Sequence, residues 1–532
     1  MSLFLLGANE STEPDAGIVG AKAAGLMRMI EAGLPIPPAF VLGTALCADY
    51  HARGGYLGAN VRELTARGIR HLEQRTGRRF GGTRNPLLVS VRSGAPVSMP
   101  GMLDTVLDVG LCETTLPGLL RATGDPVFVW DSFRRLIQCY AEVVDASSPA
   151  PFTELVDAAI RRHEVPAVNE LDVAALRELT ARMLDTYRAV VGRPFPQDPT
   201  VQLTGAVEGV FRSWNTDKAV AYRRMERLTG LPGTAVTVQA MVFGNRGLGS
   251  GSGVAFTRDP ATGERRLYLD FLLDAQGEDV VAGRDRIDDG VAANLTSDLA
   301  RQLGEVSGTL EEKFTDAQDF EFTVEEGKLW LLQTRDAKRT PWAALRIACD
   351  LVDEGVIDRD TALDRLGGYD LDDITRHRLA SGVARRPLGR AVPASAGVAS
   401  GPIALDATAA ADRAQRGEPA ILVRPEASTN DMAALAVCGG LLTARGARTS
   451  HAAVVARQLG VVSLVNCTAL TIDAAARTVR IGTRELREGD PITVDGSDGS
   501  VYAGALELIE ERPTEYVDRI RAWQHDHSAQ HE

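Results

Sequence analysis

Gly440-Leu441-Leu442-Thr443-Ala444-Arg445-Gly446-Ala447-Arg448-Thr449-Ser450-His451, continued by AAVVARQLG to Gly460, is the stretch on which the reading of this 532-residue chain turns. Leu441 to Thr443 read as a short apolar strand, and Gly446 punctuates the loop that follows. Thr449 or Ser450 is a suitable helix N-cap, Ala452, Val455 and Leu459 recur on one helical face, and Gly460 supplies the stop. The pattern predicts His451 in the first helical turn. Unpaired backbone N–H groups and the positive end of the dipole are concentrated there, and they favour a phosphate placed on the ring. Arg445 and Arg448 add cationic donors on the same loop. On these local features alone, a first-turn histidine that only caps or packs is the plainer alternative.

Composition sets the frame. The length suggests roughly three or four domains, and 44% hydrophobic with 24% charged residues is ordinary globular content. A net charge of −13 argues against nucleic acid or an anionic membrane as the main partner, while leaving room for phosphates held by a few local cations. No apolar run approaches the ~18 residues of a membrane span. The start, MSLFLLGANESTEP, lacks the basic region of a signal peptide. Cys47, Cys112, Cys139, Cys349, Cys438 and Cys467 are scattered without a Cys-x-x-Cys pair, so buried thiols of a cytoplasmic protein are expected, none of them catalytic.

Residues 17–34 read as a glycine-bearing loop and a helix with Leu26, Met29 and Ile30 on one face. Lys22 falls in its first turn and by itself reads as a solvated lysine. A strand over 88–91 delivers Arg92 into a loop of small residues, Ser93, Gly94, Ala95, Ser98 and Gly101. Such a loop lets backbone N–H groups approach phosphate oxygens, and a guanidinium binds them bidentately; a plain turn is the alternative. Residues 127–230 are helical, with Arg134 and Arg135 read as parts of solvated faces. Residues 234–264 alternate like strands about a Gly-rich break at 244–253, which predicts a hairpin with a flexible tip. Residues 268–281 add a strand that brings Glu278 and Asp279 after a turn at Gly277.

Strands at 318–324 and 328–336, joined by Glu325-Glu326-Gly327, form the most informative hairpin. The expected register sets Glu321 opposite Leu331 and Asp319 opposite Gln333. Alternation then gathers Asp319, Glu321, Gln333 and Arg335 on one face, with Phe320, Phe322, Trp330 and Leu332 on the other. Two carboxylates, an amide oxygen and a guanidinium outline a site for Mg²⁺ and a polyphosphate, with an acidic surface hairpin as the alternative. Two short helices over 343–366 and a Pro/Gly-bearing stretch at 386–402 read as a linker into a second domain. The tail beyond Arg512, with His525, His527 and His531, reads as a frayed polar helix.

TARGARTSHAAVVARQLG resembles the phosphohistidine loop of the pyruvate, phosphate dikinase family, whose usual Gly-Gly-Met-Thr-Ser-His is altered here at Ala447 and Arg448. The resemblance extends from GIVGAKAAGLMRMIEAGLPIPPAF through SVRSGAPVSMPGMLDT, QAMVFGNRGLGSGSGVAFTRDPATGE, AQGEDVVAG and LWLLQTRDAKRT to GDPITVDGSDGSVYAG. It implies an α/β (α+β) chain: an ATP-grasp-type nucleotide-binding domain over 1–340, a helical hinge over 341–390, a swivelling β/β/α phosphohistidine domain over 391–507 and a tail over 508–532. It places catalysis on His451, Arg335 and Arg92. ATP and phosphate binding fall on Lys22, Arg92, Glu278, Asp279 and Arg335, and Mg²⁺ on Asp319, Glu321 and Gln333. The implied reaction turns ATP and inorganic phosphate into AMP and pyrophosphate through phospho-His451. SVRSGAPVSMPGMLDT resembles the branch that uses inorganic phosphate rather than water. Full-length relatives continue into a barrel that binds pyruvate and phosphoenolpyruvate, so the acceptor is expected on a separate protein in trans, with a homodimer as the self-association to test. The rival reading is a phosphocarrier, or a phosphotransferase for a specialised acceptor, that makes no phosphoenolpyruvate.

Overall fold

Over residues 3–7, 15–97, 99, 103–282, 295–380, 386–427, 431–448 and 450–531, which the computed structural model describes, the backbone divides into two units. One comprises Met1–Ser250 with Val324–Gln333, the other Gly251–Thr323 with Thr334–Glu532.

The first unit is built on a five-stranded antiparallel sheet in the order Leu3–Leu5, Ala39–Leu42, Ala235–Ala240, Val89–Gly94, Thr105–Val109. Phe40, Val89, Val91, Val236 and Val238 are fully buried in its core. Two of its helices start where an aspartate precedes a proline. Asp125 before Pro126–Val143 accepts from the Phe128 amide, and Asp198 before Pro199–Ser213 accepts from Thr200. The carboxylate satisfies an orphan donor, and the proline needs none. Arg134 is not on a solvated face: it is 6% exposed and paired at 2.6 Å with Asp131, itself 4% exposed. Burial pushes Asp131 up, but the guanidiniums of Arg134 and Arg135 more than offset it and leave the carboxyl at about 2. Two further expectations are corrected. The strand carrying Arg92 runs on to Gly94, so the arginine lies within the sheet, while Ser98 and Gly101 lie outside the described residues. Ala235–Ala240 and Gly251–Phe256 belong to different sheets and form no hairpin. The Gly-rich segment between them is held rather than free: Gly249 O accepts from Gly327 N at 2.9 Å, Ser250 Oγ from Glu326 N at 3.0 Å, and Arg246 pairs with Glu325.

Gly251–Phe256 lies in a four-stranded sheet between Gln318–Glu325 and Tyr268–Leu273, with Lys328–Asp336 outermost beyond Gln318–Glu325. Glu326 and Gly327 both take positive φ, so the hairpin turns on two residues and not the expected three.

An eight-stranded sheet follows. Val398–Ala404, Ile421–Arg424, Gly440–Thr443 and Val462–Val465 are parallel neighbours. Parallel neighbours need crossovers, which Ala407–Ala414, Met432–Leu435 and His451–Gln458 supply. The Pro/Gly stretch at 386–402 is therefore not all linker: it contributes Gly389–Arg390, Val392–Ser395 and most of Val398–Ala404 to this sheet.

Outside that sheet, Arg376–Leu379 pairs antiparallel with Leu508–Glu511. The helix Thr514–His531 packs on Pro341–Asp353 and Arg359–Leu366. Its Val517, Ile520 and Trp523 are buried with Leu345, Cys349 and Leu366, where a frayed polar helix was expected. Among the described residues all six cysteines are free thiols, and no helix is long and apolar enough to cross a membrane. Trp523→Ala should cost about 3–5 kcal/mol at this helix. Limited proteolysis that frees residues 514–531 in the variant only would show it.

Candidate functional site

In the first unit, the helix Ala21–Glu31 is pinned by its first residues to the end of the strand that bears Arg92. Gly20, its N-cap, has φ 81°, and a Cβ there would stand 2.1 Å from the carbonyl oxygen of Gly94. Only glycine permits both the dihedral and the approach. The Ala21 amide donates to the Ala95 carbonyl at 2.9 Å. Lys22, half-buried, thus occupies the helical turn that abuts the strand, and Arg92 donates through Nη1 to the Leu332 carbonyl at 3.3 Å. Gln333 follows, half-buried, in the same strand. Two cations on adjoining backbone segments suit the oxygens of a phosphate. Gly20→Ala should cost about 1–3 kcal/mol and weaken phosphate binding, read from a thermal melt and a phosphate titration.

In the second unit, Arg335 Nε donates to Asp319 Oδ2 at 2.8 Å, so these two do share one face of the hairpin. Thr334 and Gln318 bond each other at 2.9 Å. Asp319 is 2% exposed, and its other oxygen, Oδ1, is buried with no hydrogen-bond partner among the described residues. Burial raises its carboxyl above the ordinary range; Arg335 opposes the rise, the charge of Glu321 adds to it, and Arg457 also opposes it. A buried carboxylate with one bare oxygen and a second carboxylate in electrostatic contact is a hard-oxygen donor set. Among the described residues, no group of three or more His, Cys, Asp or Glu is gathered as a metal cage; a magnesium held partly by phosphates needs only one or two carboxylates. Asp279 is buried in the helix Gly277–Ala282, its Oδ2 accepting from the Gln276 amide at 3.1 Å. The side chain of Glu278 lies outside the described set.

His451 opens the helix His451–Gln458, with Ser450 as N-cap accepting from the Ala453 amide; its own side chain, like all of Thr449, is outside the described set. The loop before it is anchored in a way the sequence did not disclose. Arg448 Nε donates to Asp270 Oδ1 at 2.6 Å, Nη2 donates to the Leu269 carbonyl, and the guanidinium lies 4.3 Å over the Tyr268 ring. Asp270 is 0% exposed and stands in Tyr268–Leu273, a strand of the sheet that carries Asp319 and Glu321. The one available signal was a lone carboxylate inside the apolar run YLDFLL.

Residues 57–292 match the family model for the pyruvate phosphate dikinase AMP/ATP-binding domain, and residues 416–499 that for the mobile domain of PEP-utilising enzymes. These matches define an AMP/ATP-binding region followed by a domain similar to the mobile domain of PEP-utilising enzymes. The chain is 43% identical to pyruvate, phosphate dikinase of Clostridium symbiosum over 95% of its own length and 58% of that relative's. It is 40% identical to the Rhizobium meliloti (strain 1021) protein of the same name over 98% of its length and 59% of that relative's. The chloroplastic rice protein, from Oryza sativa subsp. japonica, is 39% identical over 98% and 55%. The chain is thus similar to pyruvate, phosphate dikinases over nearly all of its own length and spans about three-fifths of the length of these relatives.

Replacing Arg335 leaves Asp319 buried without its cation, so the folded-state value of the carboxyl, already raised, rises further. Above the unfolded value of 3.8 the folded protein then holds a proton that the unfolded chain releases, and stability falls as pH rises through that window. Arg335→Ala should therefore lose more Tm relative to wild type at pH 8 than at pH 5. A difference independent of pH would contradict the pairing.

Proposed function

We propose that this chain performs the ATP-side half-reaction of a dikinase. ATP and inorganic phosphate become AMP and pyrophosphate while one phosphoryl group moves to His451, on an ATP-grasp-type nucleotide-binding domain followed by a swivelling phosphohistidine domain. The observation that carries this reading is the ion pairing of the His451 loop to an edge strand of the sheet that also holds Asp319, Glu321 and Arg335.

An imidazole nitrogen attacks the β-phosphorus, the α–β anhydride bond breaks and AMP leaves. Inorganic phosphate then takes the γ-phosphoryl group as pyrophosphate, and one phosphoryl group stays on the ring. The barrier lies in charge and alignment, so positioned cations supply most of the catalysis. Lys22 and Arg92 hold phosphate oxygens, and the Arg335 guanidinium supplies positive charge to the transferring group. Glu278 and Asp279 stand beside the nucleotide. Asp319, through Oδ1, together with Glu321 and Gln333 would hold Mg²⁺, which would supply positive charge against the phosphates. The helices and paired strands flanking residues 389–503 act as the hinge on which the phosphorylated loop leaves. The group passes to pyruvate, giving phosphoenolpyruvate, or to another small acceptor held by a separate protein.

Incubation with β-labelled ATP, Mg²⁺ and phosphate should give AMP, pyrophosphate and acid-labile label on His451. His451→Ala should abolish the label and EDTA should prevent it. Label that persists in the variant would move the acceptor elsewhere, and a protein that forms no AMP would refute the half-reaction.

A further inference from the structure

The backbone just before His451 is held from two directions. Arg457, in the same helix and 0% exposed, donates through Nε and Nη2 to the Ala394 carbonyl at 2.9 and 2.7 Å and through Nη2 to the carbonyl of Arg448 at 3.0 Å. The side chain of Arg448 reaches the other way, to Asp270, the Leu269 carbonyl and the face of Tyr268. Tyr268 closes the arrangement by donating its hydroxyl to the Pro393 carbonyl at 3.0 Å, while Arg457 lies 5.3 Å over Phe256 and 5.8 Å over Tyr268. One residue thus has its carbonyl fixed by its own domain and its guanidinium fixed by the sheet of Asp319.

A desolvated ion pair adds little net stability, because removing both charges from water offsets their attraction. What a planar, multi-donor guanidinium adds is orientation. We infer that Arg448 is a positioning residue for phosphoryl transfer to His451: through Asp270 it sets the register in which the His451 helix is presented to the sheet bearing Asp319, Glu321 and Arg335. This role rests on the half-reaction proposed above. Arg448 stands where the motif it resembles has methionine, which has no N–H to give a carboxylate, so the latch is a property of this chain's loop. Misplacement of reacting groups by 1 Å costs on the order of 100-fold in rate, which sets the scale of the effect.

The test compares single-turnover labelling of His451 in wild type, Arg448→Met, Asp270→Asn and the double variant, with saturating Mg-ATP and phosphate, alongside the KM for ATP. Each single variant should label roughly 10- to 100-fold more slowly with the KM for ATP unchanged. The double variant should be no slower than the slower single one, because both remove one interaction. Arg448→Lys should be intermediate, since an ammonium reaches the carboxylate without the guanidinium's fixed fork. If Arg448→Met fails to fold, Asp270→Asn and Arg448→Lys carry the same comparison. Wild-type rates in the variants, a loss confined to KM, or additive losses would overturn the role. Absence of labelling in the wild-type protein would overturn the half-reaction itself, and with it this role.

Discussion

Asp270 and Asp319 are 0% and 2% exposed, and both lie in one four-stranded sheet. Holding a carboxylate out of water costs several kcal/mol unless a cation answers it. Among the described residues each is met on one oxygen by an arginine, and the other oxygen, Oδ2 of Asp270 and Oδ1 of Asp319, has no hydrogen-bond partner. The two arginines differ in origin. Arg335 comes from the same hairpin and fixes only that hairpin; Arg448 comes from 178 residues further along and brings with it the loop that ends at His451. The same electrostatic demand thus organises a local site and recruits a remote one.

Backbone supplies the complementary half. Lys22 and His451 both stand in the first turn of a helix, one entered through a glycine with positive φ and the other through a capping serine. In the second case the helix is the crossover between Gly440–Thr443 and Val462–Val465, so the parallel sheet itself dictates that a helix N-terminus follows the strand's carboxyl end. Anion binding at such a place needs no special side chain, only orphan N–H groups.

Much of this was legible locally. The strand, loop and Ser450-capped helix around His451 follow from hydrophobic spacing and capping chemistry, and the pairing of Asp319 with Arg335 follows from period-two alternation. What failed to show in the sequence was set by distant partners. The apparent hairpin at 234–264 splits because each strand finds a better neighbour in another sheet. Arg134 looks like a surface cation until the fold buries it with Asp131, one turn earlier in the same helix. Trp523 seems a chance aromatic in a polar tail until helices from 341–366 give it a floor.

The pairing of Arg376–Leu379 with Leu508–Glu511, locked by Glu511 to Arg376 at 3.0 Å and Arg378 at 2.7 Å, means that the polypeptide enters and leaves residues 389–503 side by side. Strand spacing sets that gap at about 4.8 Å. A module whose ends meet so closely can be spliced into a host loop, or lifted out of one, with little disturbance of either fold.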